Sequence, residues 1–81
     1  MKNEVKFSEQ KIIVKEYLLN NTNNRQSLNF KKTSYLWSLE ISKWSGIKIS
    51  VQAVEAVCKD YTVRSYEISK GVMVYGMETR K

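Results

Sequence analysis

At 81 residues and 9.5 kDa the chain has room for one small domain, and its 42% hydrophobic and 27% charged content is that of a folded globule, not a disordered segment. Fourteen Lys and Arg against eight Asp and Glu leave a charge of +6, an excess that favours an anionic partner, nucleic acid first among them. With no His and a single Cys, the sequence excludes a Ser-His-Asp triad, a Cys-His pair, a His-bearing or four-cysteine zinc site and an intrachain disulfide.

The first helix is expected over residues 8–21, with Ser8 as N-cap and Glu9 in the first turn, where a carboxylate suits the helix dipole. Ile13, Val14, Tyr17 and Leu18 fall on one side at helical spacing; Ile12 and Leu19, seven apart, project from the other, flanked by Lys15 and Glu16. That second pair is either the margin of a broad buried face or a separate contact surface, for example for a homodimer. Residues 20–24, four Asn around Thr22, disfavour a helix because their side chains compete for the backbone, and a loop is expected. Residues 27–30 alternate polar and apolar, as a short strand would.

A second helix is expected from Thr33 or Ser34 to about Trp44, with Leu36, Leu39, Ile41 and Trp44, and Tyr35 or Trp37, on its apolar face. Gly46 stops it, and Ser50 caps a third helix over 51–59 in which Val51, Val54, Val57 and Cys58 recur at helical intervals. That spacing makes Cys58 a small buried hydrophobe. From Tyr61 the period changes to two: residues 62–68 and 72–75 are rich in β-branched and aromatic side chains, and Ser69, Lys70 and Gly71 between them give an antiparallel hairpin. Gly76 marks a bulge or a close backbone approach. Residues 1–7 and 78–81 are expected to fray at the ends of a single domain spanning 1–81. The expected core is Ile13, Leu18, Leu39, Ile41, Ile47, Val51 and Val54.

This order of elements, over about residues 8–77, resembles the winged helix-turn-helix family. The resemblance is most specific at residues 39–50, where an apolar, polar, apolar, small pattern leads into the Gly46-Ile47 turn and the Ser50 cap. Ser42 is small where two helices would cross, and Ile47 would plug the corner between them. Gln52 stands six residues after Gly46, where the strict helix-turn-helix spacing has an apolar residue; Val51 and Val54 instead match the looser turn of winged helices. Residues 72–76 are also similar to winged-helix tails on phage and plasmid replication proteins.

The resemblance implies an α+β fold with three helices, a small antiparallel sheet and a C-terminal β-hairpin wing, the third helix lying in the DNA major groove and the wing on the backbone. On that basis the candidate DNA contacts are Lys48, Ser50, Gln52, Lys59, Arg64, Tyr66 and Lys70, with Gln52 aimed at an adenine edge and the cations at phosphates. Lys11, Lys15, Arg25, Lys31 and Lys32 add basic surface.

The charge is uneven. Residues 1–32 carry seven cations against three acids, residues 33–60 three against three, and residues 61–81 four against two. A third helix without Arg, bearing Glu55 beside Asp60, is a poor site-specific reader. Two expectations follow: backbone-directed binding to double- or single-stranded DNA, the latter with Tyr or Trp stacking, or an accessory subunit whose winged-helix surface docks a replication or transcription protein. Without paired carboxylates at a useful spacing or a Gly-rich phosphate loop, the sequence gives no expectation of an enzyme or of a cofactor. Its apolar runs are too short to span a bilayer, no apolar core follows Met1 as in a signal peptide, and a cytoplasmic location without membrane contact is expected.

Overall fold

The computed structural model describes residues 5–61 and 63–79. Three helices and three strands follow in the order α1 (Phe7–Asn21), β1 (Thr22–Thr33), α2 (Ser34–Ser45), α3 (Val51–Asp60), β2 (Ser65–Ser69) and β3 (Val72–Thr79). The strands form one antiparallel sheet in the order β1-β3-β2. The fold is therefore a small α+β domain.

α1 starts two residues earlier than Ser8 as N-cap would have it. Lys6 is the N-cap and makes no side-chain cap bond; Ser8 lies inside the first turn. Gln10 does the organising here, its Nε2 donating to the Val5 carbonyl at 2.8 Å and its Oε1 accepting from the Ser50 amide at 2.9 Å. One amide side chain thus ties the start of α1 to the start of α3. Val14, Tyr17 and Leu18 are buried, whereas Ile12 and Leu19 point outward.

The Asn-rich segment ends α1 as expected, but most of it is strand and not loop. Thr22 Oγ1 donates back to the Leu18 carbonyl at 2.7 Å, and from Thr22 the chain pairs with the end of β3: Thr22 with Thr79, Asn23 with Glu78, Asn24 with Met77. Further along, Asn29 pairs with Tyr75 and Thr33 with Val74, so β1 bulges twice against its neighbour. Asn29 supports the bulges by donating from Nδ2 to the Met77 carbonyl and accepting the Lys31 amide on Oδ1. This pairing also draws Glu78 and Thr79, read as tail in the sequence, into β3. Thr62, Arg80, Lys81 and residues 1–4 lie outside the described residues.

Gly76 sits where β1 passes closest. A Cβ there would meet the Arg25 carbonyl oxygen at 2.7 Å and the Arg64 Cβ at 3.1 Å. The close backbone approach expected of it is present.

Thr33 Oγ1 accepts the Leu36 amide to cap α2, and Gly46 ends it in the left-handed conformation at φ 74°. The face that α2 buries is not the expected one. Ser34, Trp37, Ser38 and Ile41 are buried, while Leu36, Leu39 and Trp44 are exposed, Leu39 to 48%. Leu39 is therefore struck from the core. The cause is close packing: serine hydroxyls at 34, 38 and 42 share this side, Ser38 and Ser42 donating to the Tyr35 and Ser38 carbonyls at 2.6 and 2.7 Å. Ser42 Oγ also accepts the Ile49 amide at 2.9 Å, which fixes the turn into α3.

Ser50 caps α3 by accepting the Ala53 amide at 3.2 Å, and Ala53, Val54, Val57 and Cys58 are buried. With Val14, Tyr17, Leu18, Trp37, Ile41, Ile49, Val63, Tyr75 and Met77 they make the core, against which Ile13 and Ile47 pack half-buried. Leu18, Ile41 and Val54 are core residues as expected, and Val51 is half-buried. The hairpin closes at Gly71, φ 77°, whose amide donates to Glu67 Oε2 at 2.8 Å.

Candidate nucleic-acid interface

The buried side of α3 decides what its other side offers. With Ala53, Val54, Val57 and Cys58 turned inward, Gln52 and Lys59 are exposed, seven residues and about 10 Å apart along the axis. Lys48 is exposed in the turn before the helix. Ser50 is half-buried, its hydroxyl oxygen used by the Ala53 amide and its own amide by Gln10, so its first task is to hold the helix start. Lys48, Ser50 and Gln52 thus form one compact group at the N-terminus of α3, and Lys59 stands apart at the other end.

The wing presents a second group. Every residue of β2 is exposed, an edge strand with one free side. Arg64, just before β2, is exposed, as are Tyr66, in register with the buried Val74 and 57% exposed, and Ile68. Lys70 sits at the hairpin tip. Neither Lys48, Lys59, Arg64 nor Lys70 makes an ion pair among the described residues, so their charge is available.

Between the two groups lies a hollow lined by Glu55, Lys59, Val63, Ser65, Met73 and Tyr75. Glu55, half-buried there, places a negative charge between helix and wing. Its effect reaches inward: burial first, and the Glu55 charge second, push the Cys58 thiol up to about 12. The same two causes, with the Cys58 charge between them in size, raise the Tyr75 phenol. Cys58 is a free, buried, protonated thiol, as its spacing implied.

The additional basic residues divide. Lys31 is exposed. Lys11 and Lys15 lie near the Phe7 and Tyr61 rings, with Nζ 5.4 and 5.7 Å from the centroids. Arg25 is engaged, pairing with Glu78 at 3.3 Å and donating to Ser27 Oγ from Nε and Nη2. Lys32 is no part of a basic surface at all. Its ammonium donates to Glu40 and to Thr79 Oγ1 and lies 4.1 Å from the centre of the buried Trp37 ring. Glu40 also accepts from the Tyr17 hydroxyl and from Thr79 Oγ1. Burial works to raise the Glu40 carboxyl, but the hydrogen bonds from Lys32 and Tyr17 outweigh it and hold the group below its usual range. Burial and the Glu40 bond raise the Tyr17 phenol.

The sequence reading also missed a surface. Tyr35, Leu36 and Leu39 are 58%, 41% and 48% exposed on the outer side of α2. Beside them runs a shallow groove floored by Leu39, Ile47, Ile49 and Val51 and edged by Lys43 and Lys48. The four-residue spacing of Ser34, Ser38 and Ser42 was the signal for it, since it marks the inward side of α2.

Among the described residues no cluster of three His, Cys, Asp or Glu is placed to hold a metal ion, and no helix is long and apolar enough to cross a membrane. Comparison of the chain with family models, with curated proteins and with solved structures finds no match.

Proposed function

We propose that this protein is a winged helix-turn-helix domain that binds DNA through the start of α3 and the β2–β3 wing. The observation that carries the reading is the order of the elements: two capped helices joined at a left-handed Gly46, then a C-terminal hairpin with the unpaired cations Arg64 before it and Lys70 at its tip, while α3 exposes Gln52 and Lys59. Backbone contact dominates in such an interface. Lys48, Lys59, Arg64 and Lys70 serve phosphates, Gln52 is the one long amide aimed at base edges, and Tyr66 packs on sugar or an unstacked base. Glu55 weakens any deep insertion of α3, so affinity is electrostatic and sequence preference shallow. A replication or regulatory role of the phage or plasmid kind, in the cytoplasm, fits a small basic binder of this type.

The exposed side of α2 favours a second reading, an accessory subunit that docks a replication or transcription protein. A helix apolar on all sides is ordinarily buried on all sides, and α2 leaves Tyr35, Leu36 and Leu39 uncovered. Titration of the protein into labelled duplex and single-stranded DNA at rising salt separates the readings. The DNA reading requires binding that weakens steeply with salt. Absence of binding at low salt leaves the docking reading.

A further inference from the structure

The groove beside α2 has an apolar floor and a rim of one sign. Tyr35, Leu39 and Lys43 follow one another at four-residue intervals on α2, so they form a single stripe about 12 Å long. The turn into α3 lies alongside, with Ile49 buried at the bottom of the groove and Ile47 and Val51 half-buried. Apolar surface therefore continues from the core out to Leu39 and Tyr35, which are 48% and 58% exposed. Lys43 and Lys48, both exposed, edge the groove, and neither makes an ion pair among the described residues. No Asp or Glu among the described residues lines it.

We propose, resting on the docking reading of α2, that this groove receives a short acidic segment of a partner protein, its large apolar side chains on Leu39, Ile47 and Val51 and its carboxylates on Lys43 and Lys48. The two parts of the groove select against other occupants. An apolar floor offers nothing to a phosphate backbone, and two cations give a nucleic acid little to hold. A basic segment would set like charges against both ammoniums. A second copy of the chain would bring a net charge of +6 to a basic rim, which opposes self-association there. An acidic segment with apolar anchors satisfies floor and rim together: burial supplies the affinity, and the charges supply the rate of encounter and the choice of partner. Lys48 is shared with the candidate DNA interface, whereas Leu39 and Lys43 belong to the groove alone.

Fluorescence anisotropy with three labelled decapeptides, each titrated with the whole chain in the absence of DNA, tests it. The first joins a run of Asp to a Leu and a Phe; the second replaces the Asp by Lys; the third keeps the Asp and replaces the Leu and Phe by Ser. The first is expected to bind in the micromolar range, more weakly as salt rises, and the other two to bind far less. Leu39→Asp should weaken the first peptide about tenfold or more, by removing an apolar contact and adding a like charge. The double variant K43E/K48E should lose the acidic peptide and take the basic one instead, a reversal that misfolding could not produce. Because these side chains are exposed, circular dichroism of each variant should match the wild type. Equal binding of the acidic and the basic peptide, both weakened by Leu39→Asp, overturns the acidic partner and keeps the docking reading. No binding of any peptide at millimolar protein overturns both, as does binding indifferent to Leu39→Asp. A third peptide as tight as the first overturns the proposal, since the floor would then contribute nothing.

Discussion

Glu40 accepts hydrogen bonds from three elements at once: Tyr17 of α1, Lys32 of β1 and Thr79 of β3. Because its carboxyl is held below the usual range in the folded chain, the stability it contributes is present above the pKa of an unfolded Glu, about 4.3, and is lost as pH falls through the lower folded value. Glu40→Gln should therefore be less stable than wild type near neutral pH, and the gap should narrow steadily as pH drops below about 4. Urea unfolding across that range checks it; a gap independent of pH would show that the ionised form contributes nothing. Gly76 is constrained by backbone and not by conformation, since the atom an added methyl would strike is the Arg25 carbonyl oxygen. Gly76→Ala should cost about 1–3 kcal/mol by forcing the β1 bulge outward, and an unfolding midpoint equal to wild type would mean that the bulge yields freely.

Local signals made α3 readable: Gly46, Ser50 and the spacing of Val54, Val57 and Cys58 are all within the segment they organise. Val54→Ala should destabilise by about 1–3 kcal/mol through lost burial and the cavity left behind, measured by denaturant unfolding. α2 could not be oriented in the same way, because apolar residues surround it and its packing is decided by serines. That orientation predicts a contrast. Ile41→Ala should cost about 2–4 kcal/mol, while Leu39→Ala should change stability by less than about 0.5 kcal/mol. Equal losses at the two positions would contradict the observed rotation. β1 was illegible for a different reason. Its pairing partner lies some fifty residues away, Asn29 replaces part of the ladder, and polar and apolar residues alternate only over 27–30, the short strand expected there, leaving the rest of β1 unannounced. The same distance hid the engagement of Arg25 with Glu78 and of Lys32 with Thr79, and Glu40, eight residues from Lys32, lies on another element. The exposed set Lys48, Gln52, Lys59, Arg64, Tyr66 and Lys70 was legible because α3's inward face and the hairpin were.

At the scale of the whole molecule, a charge of +6 is spread so that α3 contributes little of it, while the turn before α3 and the wing contribute the unpaired cations Lys48, Arg64 and Lys70. The account's central claim is that these cations hold DNA by its phosphates while Gln52 alone probes bases. The measurement that tests it most directly is the salt dependence of DNA binding, by fluorescence anisotropy, for wild type, for Lys48→Ala, Arg64→Ala and Lys70→Ala, and for Gln52→Ala. With Lys48, Lys59, Arg64 and Lys70 on phosphates, the slope of log K against log salt should be about −3 to −4 on duplex DNA. Each cation removed should flatten that slope by about 1 and weaken all sequences alike, whereas Gln52→Ala should keep the slope and alter the preference among sequences. A slope near zero, or four substitutions that leave both affinity and slope unchanged, would contradict the DNA-binding account.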